Sequence, residues 1–364
     1  MQKYSRLFSS FDWLLALAVF VLLVLGISAL YGIGLSSSPP DFTNVTKQLI
    51  ALAIGTAIAL ILALSNYRML RSYAGTLYAA GGVTLTMLLM FGVNRRGTTG
   101  WFSFGFFDVQ PVEFVKIILI VAIAAILARR TRRIVRWKEF IATAIPVGIY
   151  ATLVMLQPDF GSAALMIGAW IVMLLFAGLD KKIFLTLFAS GVTFVSAAWL
   201  FFFEEFQKNR ILTFINPELD PLGVGYNVTQ AKIAIGAGKF FGRGLGFGSQ
   251  SQLQFLPEAQ TDFIFAAIAE ELGFLGVMLV IAAFGLFFWR IWVLVNKTRD
   301  DFTGYLLIGL GTLLFIQMTV NIAMNLGMMP VTGLPLPFVS YGGSSLLSSI
   351  VIFGLIESVA LRER

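Results

Sequence analysis

A chain of 364 residues, 58% hydrophobic and 12% charged, with a mean hydropathy of +0.87, lies far from a soluble domain, where about a quarter of residues are charged. These values mark an integral membrane protein, and the net charge of +7 belongs to short loops between apolar runs rather than to a nucleic-acid surface. The absence of Cys and His excludes disulfides, thiolate or imidazole metal sites and Ser/His or Cys/His nucleophile pairs, leaving proton transfer to carboxylate, Lys, Tyr or water and any metal to oxygen ligands, which favours Mg or Mn over Zn.

Crossing about 30 Å of hydrocarbon takes roughly 20 residues. Ten apolar runs approach that length, near 12–34, 47–65, 70–92, 111–128, 139–157, 160–179, 183–203, 263–289, 303–327 and 341–360. We therefore expect an all-α integral membrane protein of about ten transmembrane helices. It would form one polytopic domain over 1–364, with a large structured outer loop, about 204–262, between spans seven and eight. The first run is too long for a signal peptide and reads as a signal anchor. Lys3, Arg6, Arg68, Arg71, the run from Arg129 to Lys138, Lys181, Lys182, Arg290, Lys297, Arg299, Arg362 and Arg364 fall on one side of this pattern, and they hold most of the 26 basic residues. That side is expected to be cytoplasmic, both termini with it, and the long loop then faces outward. The Arg129–Lys138 run reads as a topology determinant in preference to an anionic-lipid site.

Ionisable residues inside spans draw attention because burying each costs at least roughly 2.5–3.5 kcal/mol on insertion scales. Glu113 and Lys116 lie three apart on one face of span four and can pair. A pair that fixes helix positions and a direct substrate contact are both open readings.

The stretch from Asn216 to Gly276 interrupts the apolar pattern. It opens with turn-forming Asn216-Pro217 and Asp220-Pro221. Tyr226 to Ala237 can form a short helix that lies on the membrane or dips into it. Gly238, Gly242, Gly244, Gly246 and Gly248 follow, a spacing that suits either close backbone approach to an anionic group or a mobile loop. Thr261-Asp262 then stands at the mouth of an apolar run, where helix N-capping is the commoner job for such a residue. Capping leaves unexplained why Glu258 and Gln260 crowd the same point. Carboxylates gathered at a dry boundary raise one another's proton affinity, which suits Asp262 to the work of a base. Glu270 and Glu271 follow about 12–14 Å deeper by helical rise and are expected to face a polar interior or to be protonated. Between Pro330 and Ser345, three prolines and three glycines forbid continuous helix, so this stretch is an outer loop or a broken lead-in to span ten.

The blocks QPVEFVKI (Gln110–Ile117), QPDFGSA (Gln157–Ala163), NPELDPLGVGYNVTQAKIAIGAG, QSQLQFLPEAQTDFIFAAIAEELG and PVTGLPLPFVSYGGSS resemble the SEDS family of bacterial cell-wall proteins, in order, over essentially the whole chain. The wording from Val331 to Phe338 is closer to the family's elongation, rod-shape branch than to its division branch. The resemblance implies a peptidoglycan glycosyltransferase that polymerises lipid II at the outer face of the bacterial cytoplasmic membrane, working with a class B penicillin-binding protein as its transpeptidase partner. It carries the family's essential aspartate onto Asp262, the intramembrane pair onto Glu113 and Lys116 and the loop arginine onto Arg210. Lys232 stands in the QAKIAIG block as a second cation, and Glu258 and Ser344 complete the candidate cavity set. Joining a sugar hydroxyl to the anomeric carbon of a lipid-linked pyrophosphate needs a base, which Asp262 supplies. It also needs positive charge at the leaving group, from Arg210 and Lys232 or a divalent cation, Mg or Mn. A lipid II flippase or other transporter and a non-catalytic scaffold for a transpeptidase are the rival readings.

Overall fold

The computed structural model describes residues 11–36, 39–95, 98–105, 107–130, 134–201, 208, 212–214, 223–248, 250 and 255–363. Each expected span falls on one helix: α1 (Trp13–Leu35), α2 (Thr43–Leu64), α3 (Met69–Phe91), α4 (Val112–Leu127), α5 (Trp137–Met155), α6 (Phe160–Phe176), α7 (Lys181–Phe201), α9 (Ile264–Lys297), α10 (Asp301–Asn325) and α11 (Gly343–Ala360). Among the described residues, seven helices are long and apolar enough to cross a membrane; α4, α6 and α7 are not among them, and α4 and α6 are short, at 16 and 17 residues. The loop helix α8 spans Val224–Ala237. The apolar runs form helices because in lipid the backbone must satisfy its own hydrogen bonds. Aspartates set several starts: Asp12, Asp159 and Asp300 accept the amides of Leu15, Ser162 and Thr303.

Helix α11 packs along α2, α9 along α1, α10 along α6, and α3 along α4. A small antiparallel sheet that apolar patterning does not announce joins α3 to α4, with strands β1 (Val93–Arg95), β2 (Thr98–Ser103) and β3 (Asp108–Val109) in that order.

Helix α9 is broken at Gly273, whose φ of 67° and ψ of −162° no ordinary helix contains. The glycine-rich segment after α8 repairs the break with its backbone. Arg243 and Gly244 N–H donate to the Glu270 and Glu271 carbonyls, and Phe274 and Leu275 N–H donate to the carbonyls of Lys239 and Phe240. A Cβ on Gly273 would run into the Gly242 amide and the Phe240–Phe241 backbone, and one on Gly242 would meet the Glu271–Gly273 backbone. The glycines do approach carboxylates, but these belong to the protein: Gly246 N–H donates to Glu271 Oε1 at 3.0 Å and Gln250 N–H to Glu270 Oε1 at 2.8 Å.

Candidate active site

Asp262 sits one residue before the cap of α9. The cap position itself falls on Phe263, one residue past the Asp262 that the sequence offered for it. The residue is partly exposed, whereas its neighbours Thr261 and Phe263 are buried. What holds it is its main chain. Asn321 and Asn325, both fully buried on α10, donate from Nδ2 to the Asp262 carbonyl at 3.0 and 2.9 Å. Asn325 Oδ1 accepts the Ala266 amide at 3.1 Å, and Asn321 Nδ2 also reaches the Leu334 carbonyl at 2.8 Å. The spacing of four puts both amides on one face of α10.

The stretch after α10 turns out to be a broken lead-in to α11 rather than an outer loop, since Leu334, Leu336, Phe338 and Val339 are buried. Irregular backbone at such depth survives only where protein satisfies it. Gln317 Nε2 donates to the Pro335 carbonyl, and Ser340 Oγ accepts the Leu336 amide. Gln48 on α2 takes both the Ser340 carbonyl and the Gly342 amide. The same stretch grips the Asp262 loop: Ser340 Oγ donates to the Thr261 carbonyl at 2.6 Å and Tyr341 N–H to the Gln260 carbonyl at 2.8 Å. On the loop's other side Asn44 Nδ2 donates to Gln260 Oε1 at 2.5 Å. Helix α8 packs Ala231 and Ala234 against Leu256, Ala259, Phe263 and Ala266, closing a small apolar cluster beneath the loop.

A second polar group lies at the other end of the α11 lead-in. Lys116 Nζ pairs with Glu113 Oε1 at 2.7 Å, with 1% and 4% of their side chains exposed, and Ser348 Oγ donates to Glu113 Oε2 at 2.9 Å. Ser344 Oγ accepts the Gln110 amide at 2.9 Å, and Gln110 Nε2 reaches Asp159 Oδ2 at 3.4 Å. Burial raises the Asp159 carboxyl above the usual carboxylate range, against the lowering pull of the Ser162 hydrogen bonds and the Lys116 charge. Residues 340 to 348 thus link the Asp262 mount to the Glu113–Lys116 pair. Of the other expected residues, Glu258 is exposed, adopts φ 55°, and accepts the Thr261 hydroxyl at 2.8 Å. Lys232 lies against Gly327, a left-handed residue two past Asn325 where a Cβ would collide with the lysine stem. Arg210 lies outside the described residues. No group of three acidic side chains able to hold a metal occurs among the described residues.

Sequence reading missed Asn321, Asn325 and Asp159. The two asparagines were visible as an i, i+4 amide pair inside an apolar run, and Asp159 as Asp-x-x-Ser opening another.

A model of the FtsW, RodA and SpoVE cell cycle proteins matches residues 8–364. The chain belongs to this family. Among curated members of the FtsW/RodA/SpoVE family, the probable peptidoglycan glycosyltransferase FtsW of Trichlorobacter lovleyi is 35% identical over 367 residues, covering 99% of this chain and 95% of that one. The peptidoglycan glycosyltransferase MrdB of Escherichia coli K12 is 34% identical over 328 residues, 89% and 87% of the two chains. A solved structure described as structural coordination of polymerization and crosslinking by a peptidoglycan synthase complex superposes with a TM-score of 0.83 at 30% identity, covering 97% and 98%. Family and apolar helices together make this a multi-pass membrane protein.

Proposed function

We propose that this family member is a peptidoglycan glycosyltransferase that polymerises lipid II into glycan strands, with Asp262 as its general base. The observation that carries the reading is the mount of Asp262: a partly exposed carboxylate at the mouth of α9, one residue ahead of the cap position, on a main chain fixed by two buried asparagines. The activity is that of curated relatives aligned over nearly the whole chain. In the reaction the 4-hydroxyl of an incoming N-acetylglucosamine attacks the anomeric carbon of a muramyl pyrophosphate lipid. Asp262 takes the hydroxyl proton as the new C–O bond forms, the bond to the diphosphate breaks, and the polyprenyl pyrophosphate leaves. No covalent enzyme intermediate is required, so the anomeric centre inverts, as it does when one carboxylate activates an attacking oxygen in inverting glycosidases. Lys232, with Arg210, supplies positive charge to the departing diphosphate. Mg or Mn entering with the substrate would add to that neutralisation.

We assign the chain to the elongation, rod-shape branch on its Val331–Phe338 wording, and to the cytoplasmic membrane with both termini inside and the Asp262 end outward, on the distribution of basic residues. Its partner in this reading is a class B penicillin-binding protein, in keeping with the superposable synthase complex. The test is to give the purified protein, alone and with that partner, lipid II in detergent and in sealed vesicles. Polymer in detergent is the expected result. Lipid II crossing vesicles with no polymer formed would favour transport, and absence of both polymer and lipid movement in every arm would leave only the scaffold reading.

A further inference from the structure

The end of α9 farthest from Asp262 carries a polar feature that glycan polymerisation does not use. A cavity of about 750 Å³ opens there, lined by Lys297, Arg299, Arg362 and Glu363. Its volume falls within the range of small-ligand sites, roughly 300–1,000 Å³, and exceeds what one inorganic anion needs.

The acid in this lining is already engaged: Glu363 Oε1 accepts Arg68 Nη2 at 2.8 Å and the Tyr67 hydroxyl at 2.6 Å. Arg362 is a rigid wall, because its guanidinium donates to the Ala63 and Leu64 carbonyls at the end of α2 and to the Ser358 carbonyl on α11. Asp300, next to Arg299, faces Arg71 at 3.7 Å and caps α10 through Thr303. Among the described residues Lys297 and Arg299 are in no ion pair, and both are exposed. The cavity therefore holds an uncompensated positive charge, two cations of which are free to turn towards a ligand.

Aromatic residues give its depth. Trp289 and Trp292, about half exposed, occupy the last turns of α9 before Lys297, and Trp13 stands beside Asp12, which binds Arg290 of the same turns. Tryptophans at one level of a lipid-facing surface mark the headgroup boundary. Lys297 lies five residues past Trp292, about 7.5 Å by helical rise, which is the level of lipid phosphates.

We propose that this cavity binds the phosphate headgroup of an anionic phospholipid in the leaflet opposite Asp262. Lys297 and Arg299 close on the phosphodiester, and Arg362 supplies fixed charge behind it. Basic pockets between transmembrane helices recognise acidic headgroups in this way.

The test uses the full-length protein in neutral detergent, titrated with phosphatidylglycerol, phosphatidylcholine or inorganic phosphate, with bound lipid counted by native mass spectrometry and thermal stability followed in parallel. Wild type should retain and be stabilised by phosphatidylglycerol alone. Lys297→Gln/Arg299→Gln should lower its apparent affinity roughly thirtyfold, while the charge-conserving Lys297→Arg/Arg299→Lys keeps it. Lys181→Gln/Lys182→Gln, which removes the same charge from the start of α7, should leave it unchanged. Undiminished phosphatidylglycerol binding in the first variant overturns the proposal, as does an equal loss in the Lys181/Lys182 control. Equal stabilisation by inorganic phosphate or by phosphatidylcholine overturns the assignment to an anionic lipid.

Discussion

Asn321 and Asn325 place no atom on the reacting sugar in this account, yet they decide where Asp262 stands. Each is buried, and truncating Asn325 strands the Ala266 amide and leaves the Asp262 carbonyl held by Asn321 alone. Asn325→Ala should cost about 1–3 kcal/mol of stability and lower kcat more than it raises KM, because the loop that carries the base loses its register. A thermal melt beside a steady-state polymerisation assay checks both; a loss confined to KM would contradict a positioning role. Asp159 invites a pH experiment. Its carboxyl is raised in the fold, so the stability it contributes is complete below the ordinary value of 3.8 and is lost as pH rises through the raised one. Asp159→Asn keeps a cap for Ser162 but removes that titration. The melting temperature of the variant should therefore gain on wild type as pH climbs from 3.8 towards neutrality, and a difference that stays constant with pH would contradict it.

Between elements, two devices fix the frame on which the site depends. The break at Gly273 lets the glycine-rich segment bond directly to α9, and the left-handed φ there leaves no room for a side chain. Gly273→Ala should destabilise by at least the cost of backbone strain, of order 1–3 kcal/mol, read by thermal melting. A neutral result would mean that α9 can heal without the segment. The Glu113–Lys116 pair ties α4 to α11 through Ser348. Glu113→Gln alone leaves Lys116 a buried, uncompensated charge and should cost about 3–5 kcal/mol, much of which Glu113→Gln/Lys116→Met should recover. If the pair only fixes helices, polymerisation recovers together with stability. If it also touches substrate, stability returns and activity does not, and the same two assays separate these outcomes.

For the whole molecule, the apolar runs foretold the long helices because crossing lipid demands length and apolarity, both local properties of sequence. Helix α8 was legible for the same reason, as an apolar pattern within a polar loop. Asp262 stood out because Glu258 and Gln260 crowd the same helix mouth, which N-capping alone does not explain. The sheet at 93–109 was hidden by strands of only a few residues. Gly273 was hidden too, because a lone glycine in a run such as Leu272–Leu275 is ordinary in membrane helices. The clamp from Asn321 and Asn325 joins residues about sixty positions apart, and no periodicity carries such a pairing. One measurement tests the central claim most directly: the rate at which purified full-length protein with its transpeptidase partner polymerises lipid II, compared with Asp262→Asn. The account predicts a fall of about 10²–10⁴-fold with melting temperature and lipid II binding nearly unchanged. A variant that lengthens glycan at the wild-type rate would contradict it.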